Sequence, residues 1–206
     1  MGAATFLYDF NSPYAYLAAR RVDEVLGGKV RWQPIAFGAL LVQTGRVPWS
    51  FTDERPAGMA ECERRARERG LPAFRWPPGW PKDSYSLLPL RAALVAEEHG
   101  RLRELSHALY DVIFAEGRAL DELEVVLEAA RRVGLDEQAV ADGVQRLEIK
   151  ERLRAATDDA MASGVVGVPT VLVDGEAFWG DDRLEDAAAR RAAARAASAA
   201  VAPRQS

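Results

Sequence analysis

The chain has 206 residues, 49% hydrophobic and 28% charged, with a net charge of -4. That balance excludes a disordered chain and a broad nucleic-acid-binding surface, and the length suffices for a large core without covalent staples. One cysteine, Cys62, excludes any internal disulfide or dithiol pair and suits a reducing compartment.

In chain order, residues 5–10 (Thr-Phe-Leu-Tyr-Asp-Phe) read as a short strand of β-prone and aromatic residues. A helix is predicted over 14–26, where Tyr14, Leu17, Ala18, Val22, Val25 and Leu26 recur at helical spacing. Ser12 suits its N-cap, Pro13 its first position and Gly27-Gly28 its stop. Residues 30–35 return as a second strand, so a βαβ unit with parallel strands opens the chain. From Gly38 to Phe51 the sequence is loop-like. A charged helix follows at about 57–69, and the proline-rich stretch 71–81 fits neither helix nor central strand.

Five helices are predicted next, over 87–99, 102–115, 123–133, 137–147 and 149–162, with Gly100, Gly117, Gly134 and Gly164 as punctuation. Strand character resumes at 168–173, Asp174-Gly175 is a hairpin turn, 176–179 pairs back, and an Ala/Arg helix closes the chain. A βαβ half and a ββα half separated by helices form an α/β thioredoxin fold with a large all-helical insertion. The expected division is a thioredoxin-like domain at 1–37 and 164–200, an inserted helical domain at 38–163, and a frayed tail at 201–206.

Three segments carry a family resemblance: Asp9-Phe10-Asn11-Ser12-Pro13-Tyr14, Gly167-Val168-Pro169-Thr170 and Phe178-Trp179-Gly180-Asp181-Asp182-Arg183-Leu184. Together they resemble the DsbA-like thioredoxin superfamily, in the branch of 2-hydroxychromene-2-carboxylate isomerases and kappa-class glutathione transferases. The resemblance implies glutathione or another low-molecular-weight thiol as cofactor. It implies that Ser12 replaces a redox cysteine and contacts the cofactor sulfur, with Asn11 and Pro13 beside it. It further implies a cis Pro169, backbone pairing of the thiol at Val168, and contact of the acidic pair Asp181 and Asp182 with the γ-glutamyl end.

Read from the residues alone, each position has a plainer role. Ser12-Pro13 before a helix is a cap, X–Pro bonds in folded proteins are mostly trans, and an Asp at a helix start is a capping residue. One of Asp181 and Asp182 is expected to cap while the other is free to pair with a ligand ammonium group. Trp49, Phe51, Phe74, Trp76 and Trp80 are core by default, and on long loops they also suit the wall of a pocket for a flat substrate. Cys62 has no nearby motif, and His99 and His107 show no metal-ligand spacing.

The pattern departs from the isomerase branch in the insertion. That branch generally carries a lysine and an asparagine there, and no lysine stands around Val47-Pro48-Trp49-Ser50 and no asparagine near Lys82-Asp83-Ser84-Tyr85. The expected activity is a thiol-dependent isomerase or transferase acting on an electrophilic, conjugated small molecule. The alternative is a non-catalytic thiol- or peptide-binding protein, while a dithiol oxidoreductase lacks its second cysteine. A cytoplasmic location is expected, without nucleic-acid or membrane partners and with a homodimer left open. The start of the chain lacks the charged and apolar segments of a secretory signal, and no run is apolar enough to span a bilayer.

Overall fold

A computed structural model describes residues 3–28 and 30–201. The expected tail therefore lies outside the described residues, apart from Val201. Strand β1 (Ala4–Tyr8), helices α1 (Pro13–Ala19) and α2 (Val22–Val25) and strand β2 (Arg31–Pro34) form the first half; β3 (Thr170–Val173), β4 (Glu176–Trp179) and α10 (Leu184–Val201) form the second. Between them run α3 (Phe37–Thr44), α4 (Arg55–Glu68), α5 (Leu87–Glu98), α6 (Leu102–Phe114), α7 (Leu123–Arg132), α8 (Glu137–Gly143) and α9 (Leu147–Ala162).

The sheet has the order β2-β1-β3-β4. β1 pairs parallel with β2, as a helical crossover requires, and antiparallel with β3, with Phe6 opposite Trp32 on one side and Val171 on the other. This is a thioredoxin fold with a mixed sheet and a large helical insertion between its strands. β1 is central and buried on both faces. Phe6 and Tyr8 enter a large apolar cluster that continues through α5 to α8, while Leu7 faces the opposite way into a smaller one with Ile35, Leu40, Ala160, Val165 and Val168. Rings join the first half to the insertion: Tyr8 meets Phe10 edge-on, and Phe10 lies 5.0 Å from Tyr110 on α6.

Four elements differ from the sequence reading. β1 stops at Tyr8, because Asp9 turns the chain by accepting from the Asn11 N–H on its side chain and the Ser12 N–H on its carbonyl. The helix expected over 14–26 breaks at Arg20-Arg21, where Arg20 reaches Asp111 on α6 and Arg21 reaches Glu185 on α10. The segment from Gly38 to Phe51, read as loop, is helix α3 as far as Thr44; the Ala36 cap of α3 has no side-chain acceptor, and the Phe37 N–H instead donates to Asp9 Oδ2 at 2.8 Å. The helix expected over 137–147 ends at Gly143, where a Cβ would meet Val95 Cγ2 at 2.7 Å.

Candidate active site

α1 begins where β1 ends, and its start is built by Ser12. The residue has extended backbone angles, its Oγ accepts from the Ala15 N–H at 3.2 Å, and Pro13 occupies the first helical position. The same hydroxyl donates to the Val168 carbonyl at 3.3 Å. That is long for an O–H···O bond, so a better acceptor can take over the hydrogen bond with little loss. Pro13 cannot donate, the Ala15 N–H is spent on the cap, and the Tyr14 N–H has no partner among the described residues.

Val168 and Pro169 come from the other end of the chain and stand against Ser12. Their peptide bond is cis, and the Pro169 carbonyl accepts from the Gly180 N–H at 2.9 Å, tying this turn to the end of β4. The Val168 N–H has no partner among the described residues. Gly167 leaves room for Trp179, since a Cβ there would fall 2.6 Å from the indole nitrogen.

A cleft of about 390 Å³ brings all of these together. Its lining includes Asn11, Ser12 and Pro13 from the first junction, Val168 and Pro169 from the second, and Asp181 and Asp182 after β4. The opposite wall comes from the insertion, through Arg46, Trp49, Arg65 and Trp80. A second cavity of about 390 Å³ shares Asn11, Phe37 and Pro48 with the first and is walled by Phe51, Tyr85 and Leu87. Of the aromatics left open above, Trp49 and Trp80 thus face the cleft and Phe51 the second cavity, while Phe74 and Trp76 stack at 4.9 Å against the core.

The two aspartates have different environments. Asp181 is buried and paired twice, with Arg65 Nη1 at 2.5 Å and Arg69 Nη2 at 2.7 Å, so its charge is consumed by α4. Asp182 is exposed and has no ion-pair partner among the described residues, which leaves it the carboxylate available to a ligand cation. Neither side chain makes a capping hydrogen bond at the short turn Asp181–Arg183. Asn11 lines the cleft with its amide engaged by Ser84: Nδ2 donates to the Ser84 carbonyl at 2.7 Å and Oδ1 accepts from the Ser84 hydroxyl at 2.5 Å.

Beneath the junction, Asp9 is fully buried and accepts from the Asn11 N–H, the Phe37 N–H and the Ser86 hydroxyl. Burial pushes its carboxyl above the ordinary range, and those three donors pull against the shift. Burial likewise pushes the Cys62 thiol up to about 12, which makes it a poor nucleophile at neutral pH. No group of three or more His, Cys, Asp and Glu suited to a metal occurs among the described residues, and none of their helices is long and apolar enough to cross a membrane.

Sequence reasoning missed Arg46, Arg65 and the exposed indole of Trp179 as parts of the cleft. Arg65 sits in a run of charged residues that reads as a solvated helix face, and nothing local marks it. Trp49 was visible, but not what holds it. Its indole lies between Tyr14 and Trp80, and a Cβ on Gly58 of α4 would meet its ring at 2.3 Å. Alanine normally gains about 1 kcal/mol over glycine inside a helix, whereas overpacking costs about 1–3 kcal/mol. Gly58→Ala is therefore expected to lower the thermal midpoint; a raised midpoint would mean that Trp49 moves freely.

A model of the DSBA-like thioredoxin domain matches residues 4–191. The chain belongs to that family. Within the DSBA-like family it is similar to the 2-hydroxychromene-2-carboxylate isomerase of Sphingobium xenophagum, at 27% identity over 186 residues, 87% of this chain and 93% of the relative. A solved structure of 2-hydroxychromene-2-carboxylate isomerase superposes with a TM-score of 0.82 at 21% identity, over 98% of this chain and 100% of that one. The cytosolic disulfide reductase DsbM from Pseudomonas aeruginosa, solved with GSH, shares the fold with a TM-score of 0.65 at 20% identity, over 96% of this chain and 99% of that one.

Proposed function

We propose that this DSBA-like protein is a thiol-dependent isomerase or transferase acting on small, conjugated electrophiles, with glutathione or a similar thiol as cofactor. The observation that carries the reading is the convergence of Ser12, the Val168-Pro169 turn and Asp182 on one cleft from opposite ends of the chain. The similarity to 2-hydroxychromene-2-carboxylate isomerases supports the reaction class.

The residues present fit a peptide-like thiol. The unpartnered Val168 N–H offers a backbone donor to an extended ligand, and the unpaired Asp182 carboxylate offers a site for an ammonium group. When bound, such a thiol supplies a sulfur nucleophile that adds reversibly to a conjugated double bond. The Ser12 hydroxyl transfers its hydrogen bond from the Val168 carbonyl to the sulfur anion, and the Tyr14 N–H is the second donor within reach of the α1 start. These donors favour thiolate over thiol, and serine, unlike cysteine, forms no disulfide with the ligand. α1 spans only seven residues, so this stabilisation rests on the two named donors more than on a helix dipole. Trp49, backed by the buried Trp80, and the neighbouring apolar cavity hold a flat substrate near the junction and exclude water.

Dithiol exchange has no support, because Cys62 is the one cysteine of the chain and is buried away from solvent. The test is to mix the protein with glutathione near neutral pH and follow the ultraviolet absorbance of the thiolate, with calorimetry as a parallel measure of binding. The wild-type protein is expected to bind and ionise the thiol, and Ser12→Ala to bind it with the thiolate signal reduced about tenfold or more. Because Ser12 also caps α1, the variant should lose about 1 kcal/mol of stability, so its folding is checked by a thermal melt. Absence of both binding and ionisation in the wild-type protein ends the reading.

A further inference from the structure

Two charged groups in the cleft stand without an ion-pair partner among the described residues, the Asp182 carboxylate and the Arg46 guanidinium. Two arginines and two aspartates line it. Arg65 is engaged by Asp181 and Glu61, and Asp181 is further held by Arg69. Arg46 has no ion-pair or hydrogen-bond partner among the described residues; its one recorded contact is with the Trp179 ring, whose centroid lies 4.2 Å from the guanidinium carbon.

That contact is built rather than incidental. Trp179 is 46% exposed, unusual for an indole, and it occupies the space left by Gly167 immediately before the Val168-Pro169 turn. A guanidinium stacked on an aromatic face keeps its edge donors free and has already lost part of its rotamer freedom. The arrangement is a planar fork of donors at a cleft wall, none of them bonded to an acceptor among the described residues.

We propose that Arg46, pre-oriented by Trp179, is a specificity-determining residue that anchors a carboxylate on the molecule occupying the cleft. The proposal rests on the cleft being the ligand site, as argued above, but not on the ligand being a thiol. Carboxylate is the chemistry a planar fork matches bidentately, and it has two sources: the thiol cofactor or the electrophile.

The experiment measures binding by calorimetry of two acid and amide pairs, glutathione with its diamide and cinnamate with cinnamamide, to wild type, Arg46→Ala and Arg46→Lys. Arg46 is exposed, so neither variant disturbs the core. In at least one pair, wild type is expected to prefer the acid by about tenfold, Arg46→Ala to bind acid and amide equally, and Arg46→Lys to fall between. The pair that loses its preference identifies the source of the carboxylate. Discrimination of the cinnamate pair with no binding of glutathione would remove the thiol reading and leave the Arg46 assignment standing. No acid preference in either wild-type pair, including no binding at all, overturns the proposal, as does a preference that survives in Arg46→Ala.

Discussion

Replacement of Asp181 by alanine is expected to destabilise the protein by about 3 kcal/mol, the low end of what removal of one partner from a buried ion pair costs. The low end applies because Arg65 and Arg69 retain 21% of their side-chain exposure and regain some hydration, and Arg65 also keeps Glu61. Asp181 itself has 2% of its side chain exposed, and it is the point where α4 of the insertion is tied to the chain after β4. Arg69→Ala should cost less, since the Arg65 pair with Asp181 survives. Urea unfolding of the three proteins measures both differences. A loss below about 1 kcal/mol in Asp181→Ala would place this triad among surface ion pairs of little weight and release α4 from any positioning role.

The second large effect concerns acid stability. His107 is half-buried on α6, its ring packs edge-on against Trp32 at 5.1 Å, and its buried Nδ1 has no hydrogen-bond partner among the described residues. Burial, reinforced by the Arg20 and Arg103 charges against the opposing Asp23 and Glu104, pushes its pKa down to about 4. A histidine whose folded pKa lies below its unfolded value takes up a proton first in the unfolded chain. Its contribution is therefore complete above about pH 6.5, is lost as the pH falls to about 4, and amounts to about 3 kcal/mol over that window. Asp9 acts in the opposite sense: its raised carboxyl favours the folded state as the pH drops through its folded pKa. Comparing His107→Gln with wild type isolates the histidine. In urea titrations at pH 7 and pH 4, the variant should lose markedly less stability than the wild-type protein; equal losses would assign the acid limb to other groups.

Much of the fold was legible because its signals are local. Apolar periodicity marks α5, α6 and α7; Ser12-Pro13 marks the start of α1; and Asp174-Gly175 marks the β3–β4 turn. Each depends on residues a few positions apart, so the chain carries it wherever it folds. The segments around Ser12, Val168-Pro169 and Asp181-Asp182 were singled out by resemblance, and the fold brings them to one cleft.

Helix α3 was missed because its stabilising acceptor, Asp9, belongs to another element. The sequence by itself determined the order of the strands, the absence of a second thiol and the cap at Ser12, all consequences of neighbouring residues or simple composition. Only the tertiary structure decided that Asp181 is neutralised by α4 while Asp182 stays free, that Arg46 stands on Trp179 without a counterion, and that Trp49 and Trp80 form a wall. The physical reason is that the state of a charge or an aromatic face is set by what shares its few ångströms of space, and the neighbours that set Asp181 and Arg46 are more than a hundred residues away along the chain.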